Sequence, residues 1–262
     1  MITSVQNAKI KLVRELLGAK KHREKARSIV IEGVRLAEES LAANLPVHFC
    51  LYSERISDRG RGVVDQIQAL SFEAEEISEG LLDRISDTKT SQGILLVTPI
   101  PEIGLKTKID SVVVLDKIRD PGNMGTILRT AAAMDLGAVL LTPGTADPFS
   151  PKVMRAAMGA HFRIPIRTMT VEDIHSFCKQ RNGLELSILL TDTACSQASW
   201  ETDLAKPVCI LVGSEADGVS PEMREIVDEC ISIPMSSKME SFNAAVSASI
   251  LMYEMTRQRK TK

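Results

Sequence analysis

The sequence predicts an α/β protein: a mostly parallel sheet with helices on both faces, preceded by a smaller α/β domain. Three observations carry that expectation. Short, near-continuous apolar runs recur through the second half, the pattern of strands buried on both faces. Stretches of helical spacing alternate with those runs. A segment with two prolines and a glycine, Thr98–Gly104, divides that half from a first half with its own alternation.

Taken in order, Asn7–Lys25 reads as one amphipathic helix, since Ile10, Leu12, Val13, Leu16 and Leu17 recur with helical spacing between basic positions. Ser28–Gly33 is a β-rich run closed by glycine. Helical pattern resumes through Arg35–Leu41 and returns at Val63–Leu70, with strands expected at Val47–Tyr52, Ser71–Ile77 and Gly93–Val97. After the linker, apolar runs at Ser111–Asp116, Ala138–Leu141, Phe162–Ile166, Leu186–Leu190 and Val208–Val212 read as strands. Thr126–Met134, Pro151–Met158, Val171–Gln180 and Ala244–Met255 read as helices. The expected division is a first domain over 1–98, a linker over 99–108 and a second domain over 109–262.

Composition excludes several classes of function. The chain has 262 residues, a formal charge of -2 and 25% charged residues, so the overall balance points to no nucleic-acid partner. The distribution differs. Between Met1 and Val30, Lys9, Lys11, Arg14, Lys20, Lys21, Arg23, Lys25 and Arg27 face only Glu15 and Glu24. Such a basic segment is either a phosphate-binding face or a solvated helix, and charge alone leaves both open. Cys50, Cys178, Cys195, Cys209 and Cys230 are odd in number and lack any C-x-x-C pair, so neither a disulfide framework nor a zinc site is expected. His22, His48, His161 and His175 show no metal-ligand spacing. No apolar run reaches the roughly 18 residues of a membrane span, so a cytoplasmic protein without metal is expected. Neither a G-x-G-x-x-G after a strand nor a P-loop occurs.

In parallel sheets, ligands sit beyond the carboxyl ends of the strands, and three loops there carry polar and glycine-rich sequence. Asp116–Arg129 follows the first strand of the second half. Pro121-Gly122 supplies a turn, Asn123 is placed to cap a helix, and Gly125 permits close backbone approach at its start. Leu211–Pro221 opens from a strand into glycine-flanked acids, with Ser220-Pro221 starting a helix. In Ile231–Asn243, an apolar-proline-apolar segment meets a polar loop and a helix start. Ile233, Pro234 and Met235 would form an apolar wall for a flat ring. Each loop taken alone is also what an ordinary capped helix would show.

Together, in order and spacing, these loops resemble the three motifs of the SpoU (TrmH) family of SPOUT methyltransferases. Ser150–Gly159 adds to the resemblance. So do Asn7 with its basic helix, Ile31–Arg35 and Ser86–Gly93, which look like the family's amino-terminal RNA-binding domain. The resemblance implies a trefoil-knotted α/β catalytic domain, a first domain similar to L7Ae/L30e ribosomal proteins, and a homodimer. It also implies S-adenosylmethionine as cofactor and methyl transfer to an RNA ribose 2′-hydroxyl. Carried over by motif, Thr142, Gly213, Ile233, Pro234, Met235 and Phe242 would hold the cofactor, and Arg129, Asn123, Glu215, Ser241 and Asn243 would be catalytic. Lys9, Lys20, Lys21, Arg23, Lys25 and Arg35 would contact RNA. One departure is visible: Ser241-Phe242-Asn243-Ala244 stands where the family usually has Ser-Leu-Asn-Val. The first domain favours ribosomal RNA; transfer RNA, or a non-catalytic role in ribosome assembly, is the alternative.

Overall fold

The structure, a computed structural model, describes residues 1–88, 90–180, 183–214, 217–236 and 238–261. Its first elements are α1 (Ala8–Leu17), α2 (Lys20–Ala26), β1 (Ser28–Glu32), α3 (Val34–Ala42), β2 (Phe49–Tyr52), α4 (Asp58–Ala69), β3 (Ala74–Glu76), α5 (Glu79–Ile85) and β4 (Ile94–Pro99). There follow β5 (Ser111–Asp116), α6 (Pro121–Ala133), β6 (Ala138–Leu141), α7 (Pro151–Ala157), β7 (Ile166–Thr168) and α8 (Val171–Gln180). The last are β8 (Ser187–Thr191), β9 (Gln197–Ala198), β10 (Val208–Gly213), α9 (Pro221–Arg224), β11 (Glu229–Ser232) and α10 (Ala244–Thr261).

These elements form two compact units, Met1–Glu102 with Phe149–Phe162, and Ile103–Pro148 with Arg163–Lys262. The segment carrying α7 belongs to the first unit because Met154 and Phe162 are buried in its core beside Ile29, Ile31 and Leu96.

In the first unit the Asn7 side chain accepts from Lys9 N at 2.8 Å and starts α1. The single helix expected over Asn7–Lys25 is broken at Gly18, whose N–H closes α1 on the Arg14 and Glu15 carbonyls, and α2 restarts at Lys20. Arg23 holds the break together. It is 4% exposed, and its Nη1 donates to the carbonyls of Leu16 at 2.5 Å and Gly18 at 2.9 Å. The sheet has the order β1-β4-β2-β3, with β4 antiparallel to both neighbours and β2 parallel to β3. Alternate residues face opposite ways. Ile29, Ile31, Ile94 and Leu96 pack with α3 and α4, while Val30, Leu95 and Val97 pack with Ile10 and Val13 of α1 and Leu82 and Ile85 of α5. Helix α5 has no counterpart among the expected elements.

The second unit holds a seven-stranded sheet of order β7-β6-β5-β10-β8-β11-β9 in which every neighbouring pair is parallel. The expected mostly parallel sheet is therefore observed. On one face Val112, Val114, Leu140, Ile188 and Leu211 pack against Ile174 and Cys178 of α8. The alternate residues Val113, Leu115 and Ile210 are fully buried as well, on the side where α6 packs on β6 and α10 on β10. Burying each such side chain contributes about 1.5–3 kcal/mol, and the central strands β5, β8 and β10 carry no charged residue between their first and last positions. Where one strand was expected over Phe162–Ile166, the chain makes a 3-10 turn at Ala160–Phe162 and only then enters β7.

The expectation of no disulfide is corrected. Cys195 and Cys230 are bonded, with Cα atoms 5.6 Å apart, because β11 pairs with β8 and β9 and so brings the intervening Asp192–Ser196 turn beside Cys230. Their separation of 35 residues hides that proximity in the sequence. Cys50, Cys178 and Cys209 are free and buried, and burial pushes the Cys50 thiol up to about 12. Among the described residues no cluster of His, Cys, Asp or Glu could hold a metal, and no helix is long and apolar enough to cross a membrane.

Candidate active site

The strand register decides where polar groups gather in the second unit. Asp116 ends β5 directly beside Gly213 at the end of β10, so the loops leaving both strands start from one edge of the sheet. Asp116 is fully buried. Its Oδ1 accepts from the Thr142 hydroxyl at 2.7 Å and its Oδ2 from Ser220 N at 2.6 Å. A buried carboxylate is tolerable only with its oxygens satisfied, and here the donors come from the ends of β6 and of the second loop. Thr142, expected to touch the cofactor, is 3% exposed, and its hydroxyl supports this carboxylate while accepting from Lys117 N at 3.1 Å. Its hydroxyl lies outside the cleft described next.

The second loop doubles back at once after β10. Ser214 and Gly218 exchange two backbone hydrogen bonds of 3.0 Å, and Asp217 N donates to the Ser214 hydroxyl at 3.1 Å. Gly213 makes that turn possible: a Cβ there would lie 2.3 Å from the Gly218 carbonyl carbon and 2.5 Å from Val219 N. Glu215, an expected catalytic group, lies outside the described residues.

Below this hairpin is a cleft of about 190 Å³. Gly213, Ile233, Met235, Ser241 and Phe242 line it, which brings residues of the second and third loops to one place. Pro234 stands between two lining residues without lining the cleft itself. Phe242 is 38% exposed and extends the apolar wall toward solvent. A third wall, absent from the sequence reading, is Thr191-Asp192-Thr193 at the end of β8. The Ala194 N–H and then the Arg224 guanidinium, at 3.1 and 2.9 Å, hold the Asp192 carboxyl below the usual carboxylate range. Asp192 is therefore ionised at neutral pH, as one half of an ion pair with Arg224. The available signal was an acid at the point where a buried apolar run opens, which Asp116 and Asp192 share.

The first and third loops meet through their helices. Asn243 Nδ2 donates to Asn123 Oδ1 at 2.9 Å, and Asn243 Oδ1 accepts from Ala245 N at 2.9 Å at the start of α10. Asn123 is not the cap of α6. Asp120 is, accepting from Asn123 N at 2.7 Å with Pro121 at the first helical position, so the helix starts earlier than Thr126. Arg129 is exposed on α6, with no hydrogen bond or ion pair among the described residues.

The residues expected to contact RNA all lie in the first unit and fall into two groups. Arg23 is committed to backbone carbonyls, as described above. Lys9 is 24% exposed and paired with Glu73 at 2.5 Å and with Glu75. Burial alone would lower its pKa, but the two carboxylates win and hold it above the usual value. Both side chains are thereby engaged within the first unit, Arg23 by carbonyls five and seven residues before it and Lys9 by carboxylates distant in the chain. Lys20, Lys21, Lys25 and Arg35 are exposed, Lys20 beside Glu24 at 3.5 Å.

Comparison with known proteins places this architecture among relatives. Residues 110–253 match the SpoU rRNA Methylase family, and residues 7–96 the MRM3-like substrate binding domain. The chain is 32% identical to the 23S rRNA (guanosine(2553)-2′-O)-methyltransferase RlmP of Bacillus subtilis (strain 168), over 97% of this chain and 98% of that protein. It is 27% identical to the 23S rRNA (uridine(2479)-2′-O)-methyltransferase of Streptomyces viridochromogenes, over 98% and 92%. Among solved structures, the SpoU methyltransferase AviRb from Streptomyces viridochromogenes in complex with the cofactor AdoMet superposes with a TM-score of 0.89. That match has 25% identity and covers 98% of this chain and 99% of the other.

The Gly213 geometry yields a direct expectation. Gly213→Ala forces the Ser214–Gly218 hairpin outward, and calorimetric affinity for S-adenosylmethionine should fall about tenfold or more, an overpacking cost of about 1–3 kcal/mol, while the protein stays folded. Unchanged affinity would mean that the hairpin does not shape the binding cleft.

Proposed function

The chain belongs to the SpoU rRNA methylase family, and from that premise we propose that the cleft between the second and third loops is the methyl-donor site of an RNA 2′-O-ribose methyltransferase acting on ribosomal RNA. The observation that carries this reading is the convergence of Gly213, Ile233, Met235 and Phe242 on one cleft in a chain whose full length matches such enzymes.

The residues present fit S-adenosylmethionine. Ile233, Met235 and Phe242 offer an apolar wall to a flat ring, Gly213 lets backbone approach closely, and the Asp192 carboxylate suits a cationic donor. When bound, the cofactor supplies an electrophilic sulfonium methyl. The protein's own task is to hold a ribose hydroxyl in line with it and to relieve that oxygen of its proton.

Arginine keeps its proton at neutral pH, so Arg129 is no general base. Its role here is to clamp an RNA phosphate with its planar fork and to stabilise alkoxide charge as it develops. Asn123 and Asn243, joined side chain to side chain, present amide groups to the substrate backbone and ribose. Ser241 contributes a hydroxyl in the cleft, and proton removal falls to the substrate phosphate, water or Glu215.

In the first unit, Lys20, Lys21, Lys25 and Arg35 would contact phosphates, giving RNA binding that weakens with salt. Family membership supports three further features: a trefoil knot at the three loops, an L7Ae/L30e-like first domain and a homodimer. Exposed Val246 and Tyr253, 45% and 60% accessible on one side of α10, provide apolar surface for that dimer. A role in rRNA processing, in the cytoplasm, is part of the same proposal.

Two outcomes are expected. Arg129→Lys should lower turnover on deproteinised ribosomal RNA by about 10²-fold while leaving S-adenosylmethionine affinity unchanged, because it keeps the charge and loses the fork. Near-normal turnover would refute the clamp. Tyr253→Asp should give a monomer by light scattering, and an unaltered mass would place any dimer contact elsewhere. Mapping ribose methylation in RNA from cells with and without the gene identifies the nucleotide, and no difference in ribosomal RNA would overturn the substrate assignment.

A further inference from the structure

The first unit contains a second cavity, of about 270 Å³, just below the range of about 300–1,000 Å³ in which small-molecule pockets fall. Leu36 and Met158 give it apolar surface, and a thioether is a favourable neighbour for an aromatic ring. Its polar groups are unusually constrained. The Glu32 carboxylate, 4% exposed, accepts from the Ser86 hydroxyl, from Asp87 N at 3.2 Å and from the Thr88 hydroxyl at 2.5 Å, which spends its lone pairs on the loop that walls the cavity.

Arg155 Nη2 donates to Asp87 Oδ2 at 2.7 Å, but Nη1 is buried without a hydrogen-bond acceptor, 3.9 Å from Glu32. Buried donors left unpaired are rare and call for an explanation. Gln92 is similar. Its Oε1 accepts from Val34 N at 2.8 Å, beside Gly33 whose φ of +100 lets the backbone turn there, so the amide is fixed with its Nε2 donors uncommitted. Two donors on an apolar cavity ask for a flat ligand whose edge carries acceptors. Arg35, exposed at the cavity, adds a cation suited to a phosphate.

We propose that this cavity receives one unstacked nucleotide of the RNA substrate, its base against Leu36 and Met158, its acceptor edge on Arg155 and Gln92, and its phosphate on Arg35. The inference rests on the RNA methyltransferase reading and specifies how the first unit recognises that RNA: through a splayed-out base, the usual route to sequence-dependent RNA recognition, in addition to charge. With aromatics at only 3% of the chain, an enclosed pocket supplies what a stacking platform would otherwise provide.

The test uses the whole protein. Thr90 is exposed and lines the cavity, so Thr90→Trp fills it without touching the core. Affinity for deproteinised bulk ribosomal RNA, measured by filter binding, should fall about tenfold, with S-adenosylmethionine affinity by calorimetry unchanged. Wild-type RNA affinity in the folded variant overturns the proposal. Independently, in the unsubstituted protein, the Met158 methyl resonance should shift saturably with adenosine, guanosine, cytidine or uridine 5′-monophosphate and not with inorganic phosphate. An equal shift with phosphate alone would reduce the cavity to an anion site, and no shift with any of them would also refute it. Failure of the unsubstituted protein to bind S-adenosylmethionine or to methylate RNA would instead count against the enzymatic reading.

Discussion

The second unit depends on the buried carboxylate of Asp116. A carboxyl group with no solvent contact must find its hydrogen-bond partners locally, and Thr142 and Ser220 supply them from two other parts of the chain. That requirement ties together the ends of β5 and β6 and the exit of the second loop. Because β10 is in register with β5, the same constraint sets where Gly213 lies and how tightly the following hairpin must close. The apolar wall of the third loop then has a fixed surface to face. The chemistry expected of the cleft follows from this arrangement: no group there needs to be unusually reactive, provided donor and ribose are held in one geometry.

The two units divide the work differently. In the second, a sheet that is parallel throughout brings polar loops to one edge, as such sheets generally do. In the first, a mixed four-stranded sheet packed on both faces supports exposed lysines and a constrained cavity. The α7 segment, which comes between two strands of the second unit, packs its Met154 and Phe162 in the core of the first and contributes Arg155 to the cavity there. A substitution in this segment would therefore be felt first in the RNA-facing unit, although its position in the chain suggests the catalytic one.

Much of this was legible in the sequence where the cue is local. The apolar runs of β5 and β10 cannot be exposed, so their burial and parallel pairing follow from composition. Gly213, where a Cβ would clash, and Gly218, with a positive φ, mark the second loop, while Pro121 and Pro221 mark the first positions of α6 and α9. Asn123, Gly213, Ile233 and Phe242 were identifiable through motif resemblance to a family. What escaped detection depends on partners distant in sequence. Lys9 looks like its exposed neighbours until Glu73 and Glu75 are in place. The Asp192 wall and the Cys195–Cys230 bond exist only because β11 inserts between β8 and β9. Motif resemblance pointed to Thr142, and the hydrogen bond from its hydroxyl to Asp116 could not be read from the sequence.

The most direct measurement of this account is S-adenosylmethionine binding by Asp116→Ala, with folding followed by circular dichroism. Loss of the carboxylate leaves the Ser220 N–H without its acceptor and frees the second loop. The account predicts a folded protein whose affinity for the methyl donor has dropped about tenfold or more. A folded variant that binds the donor as tightly as the parent would contradict it, since the cleft would then be shown to form without the interaction on which its geometry is argued to depend.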